Sequence, residues 1–203
     1  MKPNLINLYP NVARAVQIAI AGKHTLVIDG EAQQVLRRVC DSHTSARIYG
    51  LNDVGFPTKN LSEGLQMFVT AELPPDHSAQ ELIKRLYDNN DNPFDKWRDD
   101  AEILQHRITS VGMKLSPGAA AIFDTAAKKY NATLQEQINC IEVARTIQGL
   151  ELIDGVRVEA KGCQGININK INAECIAEAL HYTIINVPRE GVVSNEVNDE
   201  GRV

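Results

Sequence analysis

The sequence predicts a small α/β region followed by an all-α helical bundle, so that the fold is mainly helical overall. Before residue 75, apolar residues at helical spacing alternate with short β-branched runs, a pattern typical of helices alternating with buried strands. From residue 78 onward the spacing is helical and helix-start signatures recur. We therefore expect an α/β part at 1–75, a helical domain at 78–182 and a flexible tail at 187–203.

The α/β part is predicted to begin with an amphipathic helix. Its apolar residues recur at helical spacing: Val12, Ala15, Val16, Ala19 and Ile20. Asn11 is a favourable N-cap and Gly22 is a natural helix end. We therefore expect this helix to run from Asn11 to Gly22.

Three apolar runs after this helix have the character of strands. They lie at 24–28, 46–49 and 65–71 and are rich in β-branched, aromatic or leucine residues. Between the first two, residues 32–39 return to helical spacing. Residues 52–62 carry glycine, proline and asparagine, which is typical of a loop.

The helical domain contains four predicted helix starts. Ser78 with Glu81 and Thr133 with Glu136 match the capping box, and Ser116 and Asn172 are further N-caps. The side chains expected to face the core share apolar character and helical spacing: Leu82, Leu86 and Tyr87; Trp97, Ala101, Leu104, Ile108 and Val111; Ala119, Ile122, Phe123, Ala126 and Tyr130; Leu134, Ile138, Ile141, Ala144 and Ile147; Cys175, Ile176, Ala179 and Leu180. The glycine-dotted stretch 150–169, which alternates in GVRVEA, is predicted to form a hairpin or loop.

Composition narrows the class of protein. Of the 203 residues 43% are apolar and 23% are charged, as in soluble globular domains, and the formal net charge of -5 argues against bulk electrostatic binding to nucleic acid or anionic lipid. No apolar run approaches the roughly 20 residues that span a bilayer, and the first 20 residues do not resemble a secretory signal. We therefore expect a cytoplasmic protein without membrane partners.

The cysteines and histidines show no ligand spacing. Cys40, Cys140, Cys163 and Cys175 form no CxxC pair, and the five histidines form no HxxxH pair. We expect reduced, mostly buried thiols and no metal site. No nucleophile motif or paired-carboxylate motif is visible either, so the sequence predicts no catalytic residue.

Three stretches resemble the magnesium-chelatase-like branch of the AAA+ ATPases, most closely its ComM-type members. ARAVQIAIAGKHTLVI (13–28) resembles the helix and strand before the phosphate loop, and LQMFVTAELPP (65–75) resembles the strand that carries the sensor-1 asparagine. INCIEVARTIQGLELIDG (138–155) with INAECIAEALHY (171–182) resembles the C-terminal helical lid. The resemblance covers about half of the chain and implies a truncated AAA+ core followed by a lid-type bundle.

The resemblance also shows what is missing. A phosphate loop has the pattern GxxxxGK[ST], whose glycine-flanked amides, lysine and hydroxyl hold the phosphates and magnesium. The corresponding span here is DGEAQQ (29–34), about two residues short, with Gly30 as its only glycine and Gln33 and Gln34 at the lysine and hydroxyl positions. Asp29 and Glu31 would repel a polyanion. If TLVIDGE is aligned instead as a Walker-B strand, the phosphate loop is absent altogether.

The other expected ATPase residues are replaced as well. The sensor-1 asparagine aligns near Leu73, the sensor-2 arginine with Gln135 and a further basic position with Asn139. Only Arg145, within VARTI, persists. The resemblance therefore implies a degenerate family member that is not an ATPase.

Three functions remain open at this point. The first is a non-catalytic protein that acts through protein–protein contacts or regulation, with itself or with an intact relative. The second is a protein that binds ATP and magnesium, or hydrolyses ATP, through an atypical loop with Gly30, Gln33, Gln34 and Arg145. The third is a DNA-associated accessory protein, which requires the basic N-terminal side chains to cluster: Arg14, Lys23, Arg37, Arg38 and Arg47. A shortened parallel sheet would expose unpaired strand edges, so we also expect a homo-oligomer.

Overall fold

The fold is mainly helical with one small parallel β-sheet. The computed structural model describes residues 5–51, 66–73, 78, 80, 81, 84, 93–107, 114–159 and 170–187. Its helices are α1 Leu5–Leu8, α2 Pro10–Gly22, α3 Gln33–His43, α4 Phe94–Arg107, α5 Pro117–Lys129, α6 Leu134–Glu159 and α7 Ala173–Leu180, and a π-helical turn His181–Ile185 follows α7. Its strands are β1 Thr25–Asp29, β2 Ile48–Gly50 and β3 Gln66–Thr70. The coarse architecture predicted from the sequence is therefore confirmed.

The sheet has the order β2-β1-β3, and both pairings are parallel. In the centre, β1 aligns Ile28 with Gly50 on one side and with Val69 on the other. Four of its five residues are buried, which agrees with the predicted β-branched run, since a parallel strand covered on both faces is apolar throughout. All three predicted strands are thus found close to their predicted positions.

Helix α2 differs from its prediction at both ends. Its N-cap is Tyr9 and not Asn11, because Pro10 occupies the first turn, where a missing N–H costs nothing. Its C-cap is Lys23, which adopts the left-handed conformation with φ 57°. Gly22 remains helical, and a Cβ on it would lie 2.1 Å from Nε2 of His24. The glycine is therefore needed for close packing and not for the turn.

The hydrogen bonds expected of the four predicted caps are all present. Oγ of Ser116 accepts the N–H of Ala119 at 3.2 Å, and Oδ1 of Asn172 accepts the N–H of Cys175 at 2.7 Å. The two capping boxes form reciprocal hydrogen bonds, one between Ser78 and Glu81 and the other between Thr133 and Glu136.

The prediction of a hairpin or loop at 150–169 is wrong for its first part. Helix α6 continues to Glu159, and Leu150 and Ile153 are buried on the face that also carries Ile147. The helical spacing of these apolar residues outweighs the alternation in GVRVEA, because it continues a stripe already packed against the core.

The inner faces of α5 and α6 were only partly predicted. Ala119, Phe123, Ala144 and Ile147 are buried as expected. Other expected core residues are exposed: Ile122 39%, Leu134 73% and Ile138 44%. The buried stripe of α6 instead runs through Cys140 and Val143, so the expected face is rotated from the one that packs.

Several predictions lie outside the described residues. These are the loop at 52–62, the apolar side chains Leu82, Leu86, Tyr87, Ile108 and Val111, the residues 160–169, Cys163, and the tail from 188 onward.

One continuous set of buried side chains runs from Leu5 to Ile184 and includes residues of both the α/β part and the helical part. A smaller cluster on the other face of the sheet joins Val27 to Phe68, and Val187 packs against it. Within the described part of the chain, no helix has the length and apolar character needed to cross a membrane.

The close packing at Gly22 is testable. In Gly22→Ala the new methyl group would meet both His24 and, at 2.6 Å, Oγ1 of Thr146, so we expect the free energy of unfolding to fall by about 1–3 kcal/mol, as for other overpacked sites. Gly118→Ala is the control, because its Cβ would meet nothing closer than Cβ of Ala173 at 3.8 Å. Urea unfolding followed by Trp97 fluorescence measures both, and equal losses would contradict the packing argument.

Candidate functional site

The turn that follows β1 is the structural counterpart of the expected phosphate loop. Only Gly30, Glu31 and Ala32 separate the strand from α3, which begins at Gln33. Gly30 has φ 93°, and a Cβ on it would lie 2.5 Å from the carbonyl oxygen of Ala71. Glycine is therefore required both for the left-handed backbone and for the approach of β1 to the segment after β3.

The backbone amides of this turn are bonded within the protein. The N–H of Gly30 donates to Oδ1 of Asp29 at 2.7 Å, and the N–H of Gln33 donates to the Gly30 carbonyl at 3.2 Å. The N–H of Ala32 donates to the carbonyl of Ala71 at 3.0 Å. A phosphate-binding loop needs such amides pointing outward at the ligand. In this turn, three amides that could serve that purpose already have acceptors.

Carboxylates surround the same turn. Oδ1 of Asp29 accepts the N–H of Gly30, Glu31 is exposed, and Oε1 of Glu72 lies 2.8 Å from where a Gly30 Cβ would be. Negative charges repel one another strongly at short range, so these carboxylates disfavour a polyanion at this edge of the sheet.

Gln33, Gln34 and the residues at the expected sensor positions do not supply the lysine, hydroxyl, asparagine and arginine groups expected of a nucleotide site. Gln33 and Gln34 form the first turn of α3, the former half-buried and the latter exposed. Leu73 packs against the core. Nε2 of Gln135 donates to Oδ1 of Asn139 at 2.9 Å within α6, so these two amides bind each other.

Arg145 lies at the other end of β1 from Gly30. Its neighbour Thr146 contacts His24, the residue just before β1. The six residue steps from His24 to Gly30 correspond to roughly 20 Å at about 3.3 Å per residue of strand. The structure therefore brings Gly30, Gln33 and Gln34 together and places Arg145 apart from them, 3.8 Å from a carboxylate oxygen of Glu142.

His24 and Thr146 form a buried polar pair. The Thr146 hydroxyl donates to the Glu142 carbonyl at 3.1 Å, so it accepts at 2.9 Å from Nε2–H of His24. Among the described residues, Nδ1 of His24 has no hydrogen-bond partner. Burial lowers the pKa of His24 to about 4, because the charged ring would lose its hydration.

A polar cavity of about 440 Å³ opens beside the Gly30 turn. Thr70, which is aligned with Asp29 in the sheet, forms part of its wall. The other lining residues come from α2, β3, α7 and the π-helical turn: Asn11, Val69, Glu178, His181, Tyr182 and Asn186. Ligands of parallel α/β sheets bind at this carboxyl edge of the strands.

An arginine–carboxylate pair supports one wall of this cavity. Arg14 donates from Nε to Oε1 of Glu178 at 2.8 Å and from Nη2 to Oε2 at 3.3 Å, a two-point contact. The Tyr182 hydroxyl donates to Oε1 of Glu178 at 3.5 Å. Burial, followed by the Glu178 charge, raises the pKa of Tyr182 to about 12, so its hydroxyl stays protonated. The pair holds α2 against α7 and fixes the wall.

This cavity has no counterpart among the predictions from the sequence. Arg14 and Glu178 are 164 positions apart, and no local motif connects them. The available signal was Glu178 and Tyr182 at helical spacing in AECIAEALHY, which places both groups on one helix face.

The basic side chains do not form one surface. Lys23 and Arg47 line a common cleft, but Arg14 pairs with Glu178 of the polar cavity, and Arg37 lies 3.4 Å from a carboxylate oxygen of Asp41 on α3. The clustering that a DNA-binding face requires is therefore only partial.

The thiols are suited to packing and not to nucleophilic chemistry. Cys40, Cys140 and Cys175 are buried free thiols. Burial raises the pKa of Cys40 to about 12 and that of Cys140 to about 11. Burial and the nearby Glu151 also raise the pKa of Cys175. In the described ranges no group of histidine, cysteine and carboxylate side chains is arranged to hold a metal ion.

The low pKa of His24 predicts a pH dependence of stability. In the unfolded chain this ring takes up a proton near pH 6.5, whereas in the folded protein it does so only near pH 4. Between these values the unfolded state binds more protons, so stability falls as the pH drops through this window, by about 3 kcal/mol in total.

Urea unfolding at pH 7, 6, 5 and 4 measures this effect. His24→Gln keeps a donor for Thr146 and removes the titration, so this part of the pH slope should disappear even if the variant is less stable overall. His181→Gln, at an exposed histidine, should retain the slope. An unchanged slope in His24→Gln would assign the effect to other groups.

No protein-family model matches this chain, and no curated protein or solved structure matches it either. Kinship with the magnesium-chelatase-like AAA+ proteins therefore stays a prediction from the three resembling stretches.

Proposed function

We propose that this chain is a non-catalytic, magnesium-chelatase-like AAA+ protein of the ComM type that acts through contacts with other proteins. The observation that carries the proposal is the closed turn after β1. The N–H groups of Gly30, Ala32 and Gln33 donate to acceptors inside the protein. A motor that couples ATP to movement depends on those groups being available for phosphate.

The free-energy balance supports this view. A triphosphate at the turn would replace internal hydrogen bonds, and each acceptor left unpaired costs about 1–3 kcal/mol. It would also approach Asp29, Glu31 and Glu72 without the lysine that compensates phosphate charge in a Walker loop. Both effects oppose binding of ATP.

The position of Arg145 adds a second argument. As the one basic residue that persists from the resemblance, it is the candidate for contacting a γ-phosphate. Its neighbour Thr146 contacts His24 just before β1, whereas Gly30 follows the other end of this strand, roughly 20 Å from His24 at about 3.3 Å per residue. The alternative function, ATP binding through Gly30, Gln33, Gln34 and Arg145, therefore requires a different arrangement of the chain.

Exposed apolar groups support a role in protein contacts. Leu134 and Ile138 are four residues apart on α6, which places them on the same face of the helix. This exposed apolar pair suits a protein that binds another chain.

Titration with ATP and Mg²⁺ tests the absence of nucleotide binding. Isothermal calorimetry should detect no saturable heat up to millimolar ATP, and phosphate release should stay at the level of buffer. Saturable binding that Arg145→Ala or Gln33→Ala weakens at least tenfold would overturn the proposal. Gln80→Ala, at an exposed position away from the turn, is the matched control.

The positive half of the proposal needs a separate measurement. Photo-cross-linking from position 134 or 138, in the cells that make the protein, should give a discrete conjugate of higher mass. The same cross-linker at the exposed position 121 on α5 serves as the control. If the conjugates from 134 and 138 equal those from 121, these side chains are not a contact surface.

A further inference from the structure

A second cleft lies at the amino ends of the strands, opposite the polar cavity. It has no role in the function proposed above. It has a volume of about 950 Å³ and lies between the end of α2, the α3–β2 connection and α4. Its lining residues include Lys23, Arg47, Arg98 and Glu102. Clefts of roughly 300–1,000 Å³ are the usual size of pockets that bind small molecules.

The floor of this cleft is apolar. Ala19, Ile20 and Ala101 line it, and all three are at most 9% exposed. They belong to the packed interface between α2 and α4, so the floor is part of the core. An apolar group that enters the cleft would therefore contact a rigid surface.

The rim is basic. Lys23 is held in the left-handed conformation at the end of α2, and Arg47 donates from Nη2 to the Lys23 carbonyl at 3.4 Å, so these two cationic residues are neighbours. Arg98 projects from α4 and pairs with Asp95. A ligand would thus meet an apolar floor beside two adjacent cations.

The carboxylates of the rim do not cancel this charge. Asp41 lies 3.4 Å from Nε of Arg37 on its own helix. Besides the Asp41–Arg37 and Asp95–Arg98 pairs, the described lining residues include two cations, Lys23 and Arg47, and one carboxylate, Glu102. The cleft therefore favours an anionic group together with an apolar one.

We propose that this cleft binds an acidic peptide segment of a partner protein, with an apolar side chain on Ala19, Ile20 and Ala101 and carboxylates against Lys23 and Arg47. The argument for this occupant is charge complementarity. The inference rests on the proposed function in protein contacts and identifies the chemistry of one partner segment. Because the chain as a whole carries a net charge of -5, a local basic cleft selects acidic segments through short-range contacts and not through the overall field.

Fluorescence anisotropy with a labelled hexapeptide of alternating glutamate and leucine tests the cleft. Saturable binding that weakens as salt rises is expected, since the contacts involve exposed charges. The double variant Lys23→Ala, Arg47→Ala should weaken binding by about tenfold, as expected for the loss of two exposed ion pairs. Glu102→Gln should strengthen it, because it removes the opposing carboxylate.

Matched controls separate site binding from non-specific attraction. Lys128→Ala with Lys129→Ala removes the same charge from α5, which does not line the cleft, and should leave the affinity unchanged. A hexapeptide of alternating lysine and leucine should not bind. Equal losses in the two double variants, or binding of the basic peptide, would overturn the assignment.

The remaining outcomes distinguish this inference from the proposed function. If raising the protein concentration makes the protein self-associate and releases the labelled peptide, the occupant of the cleft is a second copy of this chain. The assignment to a partner protein is then wrong. If the acidic peptide does not bind and ATP does not bind either, only the cleft assignment fails. If ATP binds while the peptide result holds, only the non-catalytic proposal fails.

Discussion

Burial of α2 between the sheet and the helical region is the constraint on which the remaining structure depends. Eight of its thirteen residues are buried, including Ala13, Ile18 and Ala21 outside the predicted amphipathic stripe. A helix that is apolar on nearly all sides is stable only inside a core. Its small side chains allow close approach, and its end fixes the position of His24 at the start of β1. The α/β part and the helical part therefore share one core.

The sequence predicted the elements whose causes are local. Caps at Ser116, Thr133 and Asn172 depend on residues three positions away, and a buried parallel strand such as β1 needs only an apolar β-branched run. The faces of α5 and α6 depend on which neighbouring helix covers them. On α6 the buried stripe through Cys140 and Val143 overlaps the predicted stripe, and α7 and the π-helical turn pack against this helix. That choice is tertiary, so Leu134 and Ile138 were assigned to the wrong side.

The candidate site likewise has a part that depends on residues close in sequence and a part that depends on long-range contacts. Gly30, Gln33 and Gln34 are close in sequence, and their placement at one turn could be predicted from the strand and helix that flank them. The contacts that define the rest are long-range: His24 meets Thr146 across 122 positions, and Arg14 meets Glu178 across 164. No spacing rule reports such pairs, so the sequence predicted a short turn without the phosphate-loop pattern but predicted neither the polar cavity nor the contact of the Arg145 segment with His24.

The hydrogen bonds of the turn after β1 also explain why substitutions alone would not create a nucleotide site there. Ala71 donates to the Asp29 carbonyl at 2.8 Å and accepts from Ala32 at 3.0 Å, so the contact that engages the turn amides also attaches β3 to β1. Lysine and threonine introduced at positions 33 and 34 would occupy the first turn of α3 without a loop to surround a phosphate. Inserting residues to lengthen the turn would separate Ala32 from Ala71 and expose the ends of β1 and β3. The hydrogen bonds that engage the turn amides thus also stabilise the sheet, so a stable sheet and an open nucleotide loop at this turn are alternatives.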